Sequence, residues 1–179
     1  MTQPRLVLSR FARDRRGLAA LEFALVAPLM ILVLFGSVEL TELLATNRRT
    51  ENTTASIADV IARDTVVTDA ELADLWQAAS ALMFPNSAAP LQMRVSCVQV
   101  QSATSAKVLW SEGTNGYTPR AKDSAMTLPD GMMVPGTSVI VSESSYNYVP
   151  PIGVFLDLAF DLKQIDYRRP RVADPVTRG

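Results

Sequence analysis

Between Leu18 and Val38 the sequence reads LAALEFALVAPLMILVLFGSV, an apolar run in which Glu22 is the single charged side chain. A run of this kind must be buried entirely or placed in a bilayer. As a helix it rises about 30 Å, the thickness of a membrane's hydrocarbon core. The residues before it are basic, with Arg5, Arg10, Arg13, Arg15 and Arg16 set against Asp14 alone. Because the 179 residues hold 17 Lys and Arg against 18 Asp and Glu in all, everything after Gly17 is net acidic. Arginines crowded just before a span retain that end in the cytoplasm and send the longer part across. The pattern predicts a cytoplasmic basic leader at residues 1–17, a transmembrane helix at 18–38 and an extracytoplasmic domain at 39–179.

Two simpler accounts of the run compete with this one. A secretory signal peptide has an apolar region of about 7–15 residues followed by a small-residue cleavage site. This run is longer and reaches Glu39 without such a site. A plain signal anchor explains the length and the basic flank but leaves Glu22 unexplained. A carboxylate in a span costs on the order of 3 kcal/mol at the centre and less near an end. Pro28, also within the run, removes one helical hydrogen bond, which in lipid a local distortion or a neighbour must compensate. It is read as a kink, or as a point of controlled bending when the helix leaves the membrane.

The spacing of Gly17, Leu18, Glu22 and Phe23 resembles the processing site of type IV pilin-like proteins. The phrase from Ala20 to Pro28, ALEFALVAP, and Phe35-Gly36-Ser37-Val38-Glu39 at the far end of the run narrow the resemblance to the TadE/TadG-like proteins of tight-adherence (Flp) pili. Two distant segments are similar to the same family: Tyr146-Asn147-Tyr148-Val149-Pro150, a Tyr-x-Tyr-x-Pro, and Arg169-Pro170-Arg171. The resemblance implies cleavage between Gly17 and Leu18 by a membrane aspartyl prepilin peptidase. It also implies that Glu22 meets the new N-terminal amine of a neighbouring subunit, which would offset its burial by charge pairing. The D-x-S-x-S metal site of the large domain carried by some TadG proteins does not occur here, so the chain resembles the TadE or TadF side and there is no basis for a bound metal. Major pilins of such systems are little more than the span, and a minor pseudopilin fits better.

Beyond the run the pattern stays helical from Glu39 to about Arg63. Leu40, Leu43, Leu44, Ile57, Val60 and Ile61 recur at three- and four-residue intervals, while Asn47, Thr50 and Thr54 keep the middle of the stripe polar. This predicts one long helix, frayed near Asn52, whose stripe packs on the protein's own sheet. Thr68-Asp69-Ala70-Glu71 is a capping box opening a second helix with Leu72, Leu75, Trp76, Ala79 and Met83 inward, ended by Pro85. Leu91, Met93, Val95 and Cys97 alternate as a half-buried strand, with Cys97 inward and a slip to Val98 and Val100 suggesting a bulge. Lys107–Glu112 reads as the returning strand, and Thr137–Tyr148 as a central one. Between them lies a long loop whose Met126, Met132 and Met133 pack over the sheet edge. Val154–Phe160 is a short helix or a buried loop, Leu162–Arg168 the last strand, and Pro170–Gly179 a basic tail. The fold class is α+β: a long N-terminal transmembrane helix extending into a small antiparallel-sheet domain, as in pilins.

The chemistry available is sparse. The sequence has no His and one Cys, which removes imidazole bases, triads and the usual zinc sites, and it has no phosphate-binding or nucleophile-elbow motif. Asp157, Asp161 and Asp166 read as solvating the last segment. A short cytoplasmic flank explains the leader arginines without nucleic acid. No enzyme, cofactor or metal is expected. The expected function is that of a minor pilin-like component of a tight-adherence pilus, held in the bacterial inner membrane with its C-terminal domain in the periplasm. Its partners would be the prepilin peptidase, other pilin or pseudopilin subunits, the assembly platform and membrane lipid; it would act in initiation, assembly or tip capping. The alternatives are a permanently anchored extracytoplasmic binding or scaffold protein and, more remotely, a secreted domain.

Overall fold

A computed structural model describes residues 17–153, 156 and 158–179. The basic leader, apart from Gly17, lies outside the described residues. Helix α1, Leu18–Ile61, runs without a break for 44 residues, passing through Pro28 and through Asn52, where fraying was expected. It rises about 65 Å along its axis. Its two halves differ in kind. From Leu18 to Val38 no residue is buried, whereas from Glu39 onward Glu39, Thr46, Thr50, Thr53, Thr54, Ile57, Ala58 and Ile61 form a buried stripe, with Leu43 partly covered. Leu40, Leu44 and Val60, expected in that stripe, are instead 51%, 54% and 47% exposed.

The threonines occupy the inward face because a helix lets each hydroxyl be satisfied locally. Thr46, Thr50 and Thr54 donate to the carbonyls of Glu42, Thr46 and Thr50 at 2.8, 2.9 and 2.7 Å, leaving their methyl groups to pack. Their small size lets α1 lie close against the sheet. The hydroxyls of Thr54 and Ser144 meet at 2.6 Å in the interior, where Thr53 faces the sulfur of Met83.

After a short strand β1, Val66–Val67, helix α2 spans Asp69–Leu82. Its capping box forms as expected: the Thr68 N–H donates to Glu71 Oε2 at 2.7 Å, and the Glu71 N–H donates to Thr68 Oγ1 at 3.3 Å. The Thr68 N–H and, at 2.8 Å, the Thr68 hydroxyl both donate to Glu71 Oε2 and hold the exposed Glu71 carboxyl below the usual glutamate range. Leu72, Leu75, Ala79 and Met83 enter the core.

The sheet comprises β2 (Leu91–Ser102), β3 (Ser105–Thr114), β4 (Ser138–Tyr148) and β5 (Phe160–Arg168), all antiparallel, in the order β3-β2-β4-β5. One face, carrying Leu91, Met93, Val95, Cys97, Ile140, Tyr146 and Tyr148, packs on α1 and α2. The opposite face carries Val98, Val100, Val108, Val139 and Val141 at the end farther from Glu39, covered by Leu128 with Met126, Met132 and Met133 from the β3–β4 loop. The methionines thus pack over a sheet face rather than its edge.

This second core explains the change in the apolar alternation of β2. The β2–β4 register is unbroken from Leu91↔Tyr146 to Gln99↔Ser138. The apolar positions change parity because the other face becomes covered, not because β2 slips. The bulge expected after Cys97 is present in the β2–β3 pairing: Cys97 pairs with Trp110 and Val98 with Val108, so Leu109 of β3 is the extra residue, and a second shift between Val100 and Ser102 leaves Gln101 extra on β2.

The basic tail, Pro170–Gly179, is tied into the fold. Strand β6, Thr177–Arg178, pairs in parallel with β1, Val176 is fully buried, and the Trp110 indole donates to its carbonyl at 2.8 Å. Arg178 binds Glu112 at 3.0 Å and also pairs with Asp69.

Candidate functional site

The residues singled out from sequence lie on the bare half of α1. Gly17 precedes its first turn with φ −77° and ψ −16°, ordinary values for any residue, and a Cβ built there meets nothing within 4 Å. Among the described residues, nothing in the fold therefore asks for glycine at this position. Leu18 is 54% and Phe23 70% exposed; Glu22 and Pro28 are exposed as well. Glu22 stands four residues into the helix, about 6 Å along the axis from Leu18. These side chains are not gathered into a pocket. They present an apolar cylinder with one carboxylate near its start.

The two distant motif segments belong to the other half of α1. Tyr146 and Tyr148, on β4, lie beside its first packed turns, each 4% exposed. Tyr146 donates its hydroxyl to the Ser87 carbonyl at 2.9 Å. Burial raises both phenols above their ordinary range; Glu42 and Glu39 push Tyr148 further up, while Arg49 partly offsets the rise at Tyr146. At the opposite end of the packed stripe, the Arg171 N–H donates to the Ala62 carbonyl at 2.7 Å and its guanidinium binds Asp59 at 2.5 Å. The motif segments thus clamp α1 to the sheet at both ends.

Glu39, read from sequence only as the end of the apolar run, is fully buried, and its Oε2 accepts the Leu156 N–H at 2.7 Å. The signal for its inward position is the spacing 39, 43, 46, 50, 53/54, 57 and 61, which a count of apolar residues alone passes over. Asp166, expected to be solvated, faces α1: burial raises its carboxyl above the usual range against the pull of Arg168, with Asp59 and Glu51 adding repulsion. Asp161 is exposed and accepts a bond from Asn147 at 2.9 Å, while Asp157 lies outside the described residues. Cys97 is buried as expected, its thiol pushed up to about 11, chiefly by burial. Among the described residues, no His, Cys, Asp and Glu group could hold a metal ion.

A continuous helix, half bare and apolar, half locked onto a four-stranded antiparallel sheet, defines a class of α+β proteins suited to single-pass membrane anchoring. Within that class, residues 17–59 match the family of TadE-like proteins, a segment nearly coextensive with α1 and roughly a quarter of the chain. The two distant motif segments lie outside the matched stretch. No curated protein and no solved structure matches the chain.

Proposed function

We propose that this protein is a minor pilin-like component of a tight-adherence pilus. In this reading residues 1–17 are a cytoplasmic leader, 18–38 span the inner membrane and 39–179 form the periplasmic domain. The observation that carries it is the division of α1 within a TadE-like segment, one half free to pack on lipid or on neighbouring helices and the other fixed to a folded body. Gly17 supports a trimming step from another side. The fold does not need glycine there, and in this reading the small residue lets the backbone lie extended in the peptidase before the scissile bond.

Trimming would place a new amine at Leu18. A neighbouring helix staggered by about 6 Å along the axis would bring that amine level with Glu22, and the pair would neutralise a carboxylate that otherwise costs up to about 3 kcal/mol in lipid. Phe23 would pack beside it, and Pro28 would give the helix a point of compliance as it leaves the membrane. The role is structural: the span stores the subunit and then packs in the filament or its initiating complex, while the domain supplies the contact surface to other subunits and the assembly platform.

The test is Glu22→Ala in the host. Membrane insertion should be retained and piliation lost or strongly reduced. Normal piliation with the variant protein present at wild-type level would remove Glu22 from assembly and favour a permanently anchored scaffold.

A further inference from the structure

We propose that the described part of the β4–β5 connection, residues 149–153, 156, 158 and 159, is a second membrane-contact element that seats the domain on the bilayer surface. The inference rests on the reading of the bare half of α1 as a membrane span. The connection is joined to α1 at the point where the exposed apolar half ends, through the 2.7 Å bond from the Leu156 N–H to the buried Glu39 carboxylate. Side chains of a helix lean toward its N-terminus, so this carboxylate reaches back over the last turn of the apolar run. The connection therefore meets α1 at membrane level.

Its composition suits that position. Between Tyr148 and Phe160 the sequence VPPIGVFLDLA holds one charged residue, Asp157. Val149, Ile152 and Leu158 are 66%, 43% and 72% exposed among the described residues. Leu40 and Leu44 continue the exposed apolar surface of α1 one turn past Glu39. With the connection tied to Glu39, these exposed apolar side chains make an apolar collar at the end of the span in this reading, as an interfacial element requires. Glu39 has a defined part in this arrangement: its carboxylate fixes the connection's backbone at the foot of the helix, so that the domain is held against the bilayer rather than swinging on α1.

The full chain, carrying an environment-sensitive fluorophore on Leu158→Cys or Ile152→Cys, is reconstituted into phosphatidylethanolamine–phosphatidylglycerol vesicles with nitroxide-bearing acyl chains. Buried Cys97 leaves the introduced thiol as the reactive one. Val33→Cys reports the span, and Val172→Cys, 67% exposed beside Arg171 at the far end of the packed helix, reports a site remote from lipid. Lipid quenching at 158 and 152 should exceed that at 172 several-fold, and quenching by aqueous iodide should fall several-fold below it. Quenching at 158 and 152 equal to that at 172 overturns the proposal, as does protection that appears only at high protein-to-lipid ratio, which would assign the collar to a second copy of the chain. Absence of lipid quenching at 33 would overturn the span itself, and with it both readings.

Discussion

Glu143 on β4 pairs with both Arg94 and Arg120. Its side chain is 11% exposed and accepts from Arg94 Nε at 2.8 Å, Arg120 Nη2 at 2.8 Å and Arg120 Nε at 3.2 Å. The arginines are themselves 14% and 29% exposed, and both reach the loop that covers the second core. Arg94 lies over the Tyr117 ring at 4.5 Å and donates to the Thr118 carbonyl at 2.9 Å, while the Arg120 N–H donates to Ser111 Oγ at 3.0 Å. Glu143→Gln keeps the shape and removes the charge. Hydrogen bonds to charged groups contribute about 1.5–3 kcal/mol each, and breaking a buried ion pair costs about 3–5 kcal/mol. Allowing for the more exposed Arg120, the net loss should be about 3 kcal/mol. Urea unfolding of the full chain in detergent micelles, followed by the fluorescence of Trp76 and Trp110, should show the midpoint falling by about 1.5 M at a slope of about 2 kcal/mol per M. Proteolysis within residues 115–137 should become faster at the same time. A midpoint shift below about 0.5 M would mean that the cluster behaves as a solvated surface pair and would refute this account of how the loop is held.

Other outcomes follow from the same contacts. Thr54→Val, which removes the 2.6 Å bond to Ser144 but keeps the volume, should cost about 1–2 kcal/mol in the same unfolding assay. Glu71 has its carboxyl depressed in the folded state, so its contribution is present above the ordinary glutamate range and is lost as pH falls through the folded value; Glu71→Gln should approach the parent stability in acid and differ at neutral pH. Cys97 should resist maleimide in the folded protein even at mildly alkaline pH and react on unfolding, as measured by mass shift. Gly17→Val should leave the domain's unfolding curve unchanged while blocking trimming, read by the mass of the protein recovered from host membranes.

What was legible in the sequence was whatever a local pattern dictates. The apolar run, the capping box at Thr68, the alternation of β2 up to Cys97 and the length of β4 each follow from neighbours a few residues apart, and the structure agrees at each. The misreadings have a common cause in contacts between distant residues. The switch of the apolar positions to Val98 and Val100 reads as the mark of a bulge alone, and a bulge is there in the β2–β3 pairing, but nothing local tells that a loop returns to cover the other sheet face. Thr50 and Thr54 read as a polar middle of the stripe because a hydropathy count does not register a hydroxyl that bonds its own helix. The pairing of Val66–Val67 with Thr177–Arg178 joins segments separated by nearly the whole domain and leaves no periodic trace. Glu39 combined both difficulties: a charged side chain that accepts a bond from Leu156, a residue on the far side of the sheet's sequence.

The most direct measurement is the N-terminal sequence of the protein purified from host membranes with and without the prepilin peptidase. The pilin-like account expects a start at Leu18 when the peptidase is present and an intact leader when it is absent. An intact leader in both strains would contradict it and return α1 to the role of a plain signal anchor, while a start beyond Val38 would make the domain a secreted one.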